Sequence, residues 1–410
     1  MIKKQQDFVL KIFTLLLFAY LFWYKETYGE NKMVLYGLIV VFTVLSILFS
    51  LKNGGETRIS LPFMLKIYIS FGLYAFLSGL FVSASLTSFL GSVVRYFVFV
   101  VICYDLYLIY SVEDSIEWLL NIFVFCAFVC SFQLLFFGYS YNNGVVVRTL
   151  GSLNNPNKLA LDFLLGLIGL VFDYRRFNKH ILVNSMLVLL FLYSIILTGS
   201  RKFFISSIAL LVVWLYNYVK RGIVWKNSAK RIGAIALFAC VCCGAGFYFI
   251  RSFSDFALFQ RLSRLGSSNG SDLRRILYVE AIETWLKHPF FGVGYNQFLE
   301  YSSSGLYSHS IYAELLSCTG LFGFLLFMLP VLYILYSMIR DLFSDKSKRN
   351  YQSAMLLVIV LLELFLGAGQ VLIYEMEHLV LLLIVSLLYK TTKSKRGLYE
   401  QSIDCLNCGI

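Results

Sequence analysis

The stretch MVLYGLIVVFTVLSILFSL, Met33–Leu51, runs for nineteen residues without a charged side chain. At about 1.5 Å of rise per residue, a helix needs about 20 residues to cross the hydrocarbon core of a bilayer, and this segment is that long. Lipid offers a backbone no hydrogen-bond partners, so a segment that spans it must be helical. The same reading extends to Ile116–Gly138, Phe203–Val219, Ile232–Ile250 and Ile311–Met338, each nearly free of charge. Phe8–Tyr24, Leu61–Val82, Leu86–Tyr110, Asn157–Tyr174, Ile181–Thr198, Ser353–Ile373 and a less distinct segment near Tyr374–Tyr389 complete the set. The expectation is an all-α polytopic membrane protein with about twelve transmembrane helices, eleven being nearly as good a count.

Composition agrees. Hydrophobic residues make up 59% of the chain and charged residues only 14%, against about 25% charged in a soluble domain. The first helix follows Lys3 and Lys4, and no small-residue cleavage site comes after it, only Trp23-Tyr24-Lys25-Glu26. It therefore reads as a retained span, not a signal peptide.

A formal charge of +12 would suit nucleic-acid binding, but its distribution argues otherwise. With the N-terminus in the cytoplasm, alternate loops hold twenty Lys and Arg on the inner side, clustered at 175–179, 220–231, 340–349 and 390–396. The short outer loops hold five: Lys25, Lys32, Arg148, Arg201 and Lys202. This is the positive-inside bias, and it places both termini in the cytoplasm. No nucleic-acid partner is expected. None of the nine cysteines falls in an outer loop, so no disulfide framework is expected. Cys405-Leu-Asn-Cys408 is a lone pair in the tail, too little for a metal site.

The chain divides into a membrane region over 1–250 with helices one to nine, an extracytoplasmic loop over 251–308, helices ten to twelve over 309–390, and a cytoplasmic tail over 391–410. The large loop has internal structure. Ser271 and Asp272 supply an N-cap and a first-turn acid, and Tyr278, Ala281, Ile282 and Trp285 follow at helical spacing. His288-Pro289 ends the pattern. The spacing predicts an amphipathic surface helix over Asp272–Lys287 with Trp285 at headgroup depth. Gly292-Val-Gly294 then reads as a tight turn before the chain re-enters the membrane.

Several chemistries lack their residues. There is no G-x-x-x-x-G-K-[ST] phosphate loop, no H-E-x-x-H, and no Asp-x-Asp to hold a metal-bound nucleotide sugar. Four polar elements gather on the outer side instead: Arg148-Thr-Leu-Gly-Ser-Leu-Asn-Asn-Pro-Asn157, Thr198-Gly-Ser-Arg201-Lys202, Arg274-Arg275 on the surface helix, and Ser308-His309-Ser310-Ile-Tyr312-Ala-Glu314 followed by Gly320-Leu-Phe-Gly323. Arginines at helix ends often do no more than reach lipid headgroups, and a histidine at a helix start is often a packed core residue. His180 and His378 read as structural, and His288 as a helix C-cap. Arg95 and Asp105 lie inside the fourth span, where charge is costly and often functional. Glu314, five residues after His309, could orient it only loosely.

The Gly292-Val-Gly294, His309-Ser310-Ile-Tyr312 and Gly320-Leu-Phe-Gly323 series resembles the O-antigen ligase and polysaccharide polymerase (Wzy/WaaL-like) family. The Gly-Ser-Arg201 corner and the Asn-Pro-Asn157 entry are similar to other marks of that family. Members commonly carry His-Asn where this chain has His309-Ser310. The resemblance implies metal-independent glycosyl transfer on the outer face of the bacterial plasma membrane, without a cofactor. A glycan on undecaprenyl pyrophosphate would be the donor and a sugar hydroxyl the acceptor. On that reading His309 is the catalytic base, and Arg201, Arg274, Arg95 and Arg148 bind the donor pyrophosphate. Guanidinium forks match phosphate oxygens, and an imidazole with an ordinary pKa near 6.5 can accept the proton of an attacking hydroxyl. A repeat-unit polymerase is the first expectation, with membrane lipids, a flippase and a chain-length regulator as further partners. An O-antigen ligase acting on a lipid A core differs only in its acceptor. A lipid-linked oligosaccharide transporter would call for discontinuous helices and an internal repeat, and no repeat is visible.

Overall fold

The computed structural model describes residues 2–21, 32–52, 61–110, 116–137, 141–142, 145–146, 156–172, 174–220, 272–344 and 351–389. Its helices are α1 (Ile2–Ala19), α2 (Lys32–Lys52), α3 (Phe63–Val82), α4 (Leu86–Tyr110), α5 (Ile116–Phe137), α6 (Pro156–Val171), α7 (Tyr174–Lys179), α8 (Ile181–Thr198), α9 (Arg201–Lys220), α10 (Asp272–Lys287), α11 (Phe298–Tyr301), α12 (Ile311–Ser344), α13 (Tyr351–Gly367) and α14 (Met376–Tyr389). Tyr141–Asn142 pairs antiparallel with Val145–Val146 between α5 and α6. Among the described residues, five helices are long and apolar enough to cross a membrane: α3, α4, α5, α8 and α12. Four shorter apolar helices lie in α1, α2, α13 and α14. Among the described residues the structure is helical apart from the short strand pair, and its long apolar helices are those of a multi-pass membrane protein. The expected span Ile232–Ile250 lies outside the described residues, as do the tail over 391–410 and Cys405 with Cys408.

The chain forms two compact units. The first comprises Met1–Leu38 and Glu117–Ser267, the second Ile39–Ile116 and Ser268–Ile410. In the first, α6 is the central helix, packed by α7, α8 and α9. It is apolar nearly all round, and Pro156 and every residue from Lys158 to Val171 are buried. A helix apolar on every side belongs in a core. Gly166 and Gly169 let α5 come close: a Cβ on Gly169 would stand 2.7 Å from the Leu120 carbonyl oxygen.

In the second unit α12 is central, packed by α3, α10, α11 and α13. Polar pairs join its helices where lipid would leave them unpaired. Asp105 on α4 is wholly buried and accepts the Thr43 hydroxyl at 2.6 Å and the Ser46 hydroxyl at 2.8 Å, both from α2. That gives the intramembrane acid a structural role as an interhelical tie. Glu363 on α13 bonds His378 on α14, which puts His378 inside a helix and not in a turn. Tyr389 donates to Asp341 at 2.7 Å. Phe71, Tyr96, Tyr295 and Phe327 interlock edge to face, with ring centres 5.1–6.2 Å apart.

Two expectations gain detail in this unit. The α10 limits match the reading, but its buried face is Leu277, Ala281 and Thr284, with Tyr278 half exposed. Ala281 and Ile282 of the expected stripe pack in this core, with Leu277 and Thr284 completing the face. Trp285 is engaged by the protein itself, its indole N–H donating to the Pro289 carbonyl at 3.1 Å. The last span begins at Met376, because Leu372–Tyr374 forms a separate 3₁₀ turn.

Candidate functional site

Gly320 breaks α12. Its φ of 66° and ψ of −172° cannot continue a helix, so the main-chain groups on either side lose their intrahelical partners. In lipid such groups must be satisfied by protein. The segment after α10 does this. Val293 N–H donates to the Ser317 carbonyl at 2.9 Å and Gly294 N–H to that of Cys318 at 2.8 Å. In return Leu321 N–H donates to Pro289 at 2.8 Å and Phe322 N–H to Phe290 at 3.4 Å. The Tyr74 hydroxyl closes on the Thr319 carbonyl at 2.8 Å. Backbone meets backbone here without room for a side chain. A Cβ on Gly292 would stand 2.4 Å from the Cys318 carbonyl carbon, and one on Gly320 would stand 2.2 Å from that of Phe290. Gly292-Val-Gly294 is thus a docking edge as well as a turn. The discontinuity, a feature associated with transporters, is filled by the chain's own backbone.

Docking of this edge positions the next residues of the loop. Gln297 Oε1 accepts Ser85 N–H at 2.9 Å, and Asn296 Nδ2 donates to the Ser92 hydroxyl at 2.8 Å, so the loop lies along the first turns of α4. Arg95 is three residues beyond Ser92, on the same side of α4, and its side chain is exposed. Burial pushes the Tyr295 phenol well above its usual range, while the Arg95 charge pulls the other way. Tyr295 in turn packs edge-on against Tyr374 at 5.4 Å.

His309 sits half-buried at the end of the loop, just before α12. Its φ is 60°, a left-handed conformation that costs a residue with a side chain about 1–2 kcal/mol. The turn is held by its neighbours. The Ser308 hydroxyl donates to the Ser310 carbonyl at 2.9 Å, and Glu314 N–H donates to the same carbonyl at 2.9 Å. Ser308 N–H donates to Glu314 Oε2 at 2.8 Å, and the Tyr374 hydroxyl to Oε1 at 3.1 Å. Glu314 is therefore tied to this turn far more tightly than its spacing suggests. The Tyr307 ring meets the His309 ring edge-on at 4.7 Å. Burial raises the Tyr307 phenol and Glu375 adds to that, while the Arg274 guanidinium acts against both. Arg274 itself is exposed on α10.

Arg95, Arg274 and His309 thus belong to one unit. Arg201 belongs to the other. There Gly199 ends α8 in the left-handed conformation at φ 64°, and Ser200 leads into α9 with its hydroxyl on Asn157 Oδ1 at 2.8 Å. The Thr198-Gly-Ser-Arg201 corner and the Pro156-Asn157 entry, separate in sequence, meet at that bond. Arg201 is the first residue of α9 and half-buried. Arg148 lies outside the described residues. The spacing rule missed the importance of Glu314, although an acid in an otherwise apolar span was visible. Tyr374, sixty residues further along, carried no sequence signal.

No curated protein matches the chain significantly. Residues 186–328 match the family model for the O-antigen ligase domain. The match begins inside α8, ends in α12, and takes in Arg201, Arg274, His309 and both glycine elements of the helix break. Arg95 and Arg148 precede it. Over this segment the chain is similar to the O-antigen ligase domain family.

Proposed function

We propose that the protein is a polymerase that joins lipid-linked repeat units of a capsular, exopolysaccharide or O-antigen glycan at the outer face of the bacterial plasma membrane. The donor is a glycan on undecaprenyl pyrophosphate; the acceptor is a sugar hydroxyl of a second lipid-linked unit. The His309 imidazole takes the proton from that hydroxyl as its oxygen bonds to the anomeric carbon of the donor. The bond from that carbon to the phosphate oxygen breaks, and the electron pair leaves with the lipid pyrophosphate. Arg274 and Arg95 stabilise the charge that develops there, in place of a metal ion; Arg201 and Arg148 are further candidate contacts of the donor. The observation that carries this reading is His309. It is held in a left-handed turn by Ser308, Ser310 and Glu314, with the Tyr307 ring edge-on to it, within the family-matched segment.

Purified His309→Ala, given lipid-linked repeat units, tests it. The variant is expected to fold and bind donor while turnover per folded molecule falls by roughly 10²–10⁴-fold. Near-normal turnover by folded His309→Ala would sink the assignment. A product attached to a lipid A core instead of a lipid-linked unit would make the enzyme a ligase.

A further inference from the structure

Glu314 is wholly buried at the start of a membrane helix, where an acid must find strong partners. The partners it takes are informative. Oε2 accepts the amide of Ser308, the residue immediately before His309. Oε1 accepts the Tyr374 hydroxyl, and Cys318 Sγ lies 3.8 Å from the same oxygen. On the other side of His309, the Ser310 carbonyl accepts the Glu314 N–H. Residues on both sides of His309 are therefore fixed to Glu314, one through its side chain and one through its backbone. Tyr374 comes from the connection between α13 and α14, braced by the Tyr295 ring at 5.4 Å. The carboxylate thus ties the His309 turn to a second, distant part of the unit.

We infer that Glu314, supported by Tyr374, is the positioning residue that holds His309 where it can reach the acceptor hydroxyl. This rests on the reading of His309 as base. A base must lie within hydrogen-bond reach of the proton it takes, and a displacement of about 1 Å can cost about 10²-fold in rate. The carboxylate acts through geometry, so its charge is not required. In Glu314→Gln the amide oxygen can keep the Ser308 N–H, and the amide NH₂ can donate to the Tyr374 hydroxyl, which turns to accept.

The test uses the full chain in detergent or nanodiscs with lipid-linked repeat units, scored per folded molecule. Glu314→Gln is expected to keep kcat within about threefold of the parent. Glu314→Leu should lower kcat on the order of 10²-fold, with donor KM changed only a few-fold. Tyr374→Phe should fall between them. His309→Ala/Glu314→Leu should be no slower than His309→Ala alone, because a residue acting through another is non-additive with it. If Glu314→Leu does not accumulate as folded protein, Tyr374→Phe alone and combined with His309→Ala carries the same comparison. A dead His309→Ala beside a fully active Glu314→Leu, or additive losses in the double variant, overturns the inference alone. Normal turnover by His309→Ala removes the base and this inference together.

Discussion

Arg201 and Arg274 present guanidinium groups where lysine would have supplied the same charge, and the difference is chemical. Arginine offers a planar fork that meets two phosphate oxygens at once; lysine is a compact point charge. If these two residues hold pyrophosphate, Arg201→Lys and Arg274→Lys keep the charge but lose a charge-assisted hydrogen bond, about 1.5–3 kcal/mol. The expected result is a roughly 10–100-fold fall in kcat/KM for the lipid-linked donor, with the folded amount unchanged. Wild-type kinetics in both variants would reassign them to headgroup contacts. At this scale the sequence was informative where a residue's own type carried the message. His309 and Arg201 stand out as polar side chains at the ends of apolar spans, and Arg274 as one on the helix of the large loop. Asp105 stood out equally, yet its partners are the Thr43 and Ser46 hydroxyls. A charge in a span signals that something must satisfy it, and both a substrate and a neighbouring helix can do so.

Helix periodicity located the elements well because lipid enforces it. Long apolar runs have one permitted backbone conformation, and the α10 limits followed from its cap and its proline. The break in α12 was not legible, since Ile311–Met338 reads as one apolar run. Gly320 signals a break only when paired with Gly292, twenty-eight residues earlier, and that pairing is a tertiary fact. The consequence is testable by stability. Gly320→Ala forces a side chain into φ 66° and against the Phe290 carbonyl. The backbone conformation alone costs about 1–3 kcal/mol, and the clash adds to it. Gly91, on α4, has open space around its Cβ position, so Gly91→Ala should be neutral or slightly stabilising. Thermal unfolding in detergent separates them: a marked drop in Tm is expected for Gly320→Ala and none for Gly91→Ala. Equal stability would mean the α10–α12 segment can undock without cost.

In the second unit the order of connections bears on the topology inferred from charge. The α3–α4 turn meets the segment after α10 through Ser85 and Gln297, and the α13–α14 turn meets it through Tyr295, whose hydroxyl lies 3.5 Å from the Ile373 carbonyl, and through Tyr374 on Glu314. All three connections therefore share one end with His309. At the other end Phe63, at the start of α3, packs on Tyr333 at 5.0 Å, and Tyr389, at the end of α14, bonds Asp341. Helices that alternate this way put connections on one side only if an even number of crossings separates them, which is the pattern the Lys and Arg counts require. Arg340, described beside Asp341 at the end opposite His309, opens one of the basic runs that the positive-inside bias assigns to the cytoplasm. Reporter fusions decide the orientation. A reporter after Ser268, just before α10, should be active only as an extracytoplasmic fusion, and one after Lys226 only as a cytoplasmic fusion. Ser303→Cys, in the exposed turn after α11, should react with a membrane-impermeant thiol reagent on intact spheroplasts. A cytoplasmic signal from Ser268 together with an unlabelled Ser303→Cys would place His309 on the inner face. A transfer reaction on glycans already carried across the membrane would then have no access to its base, and the proposed function would fail with the topology.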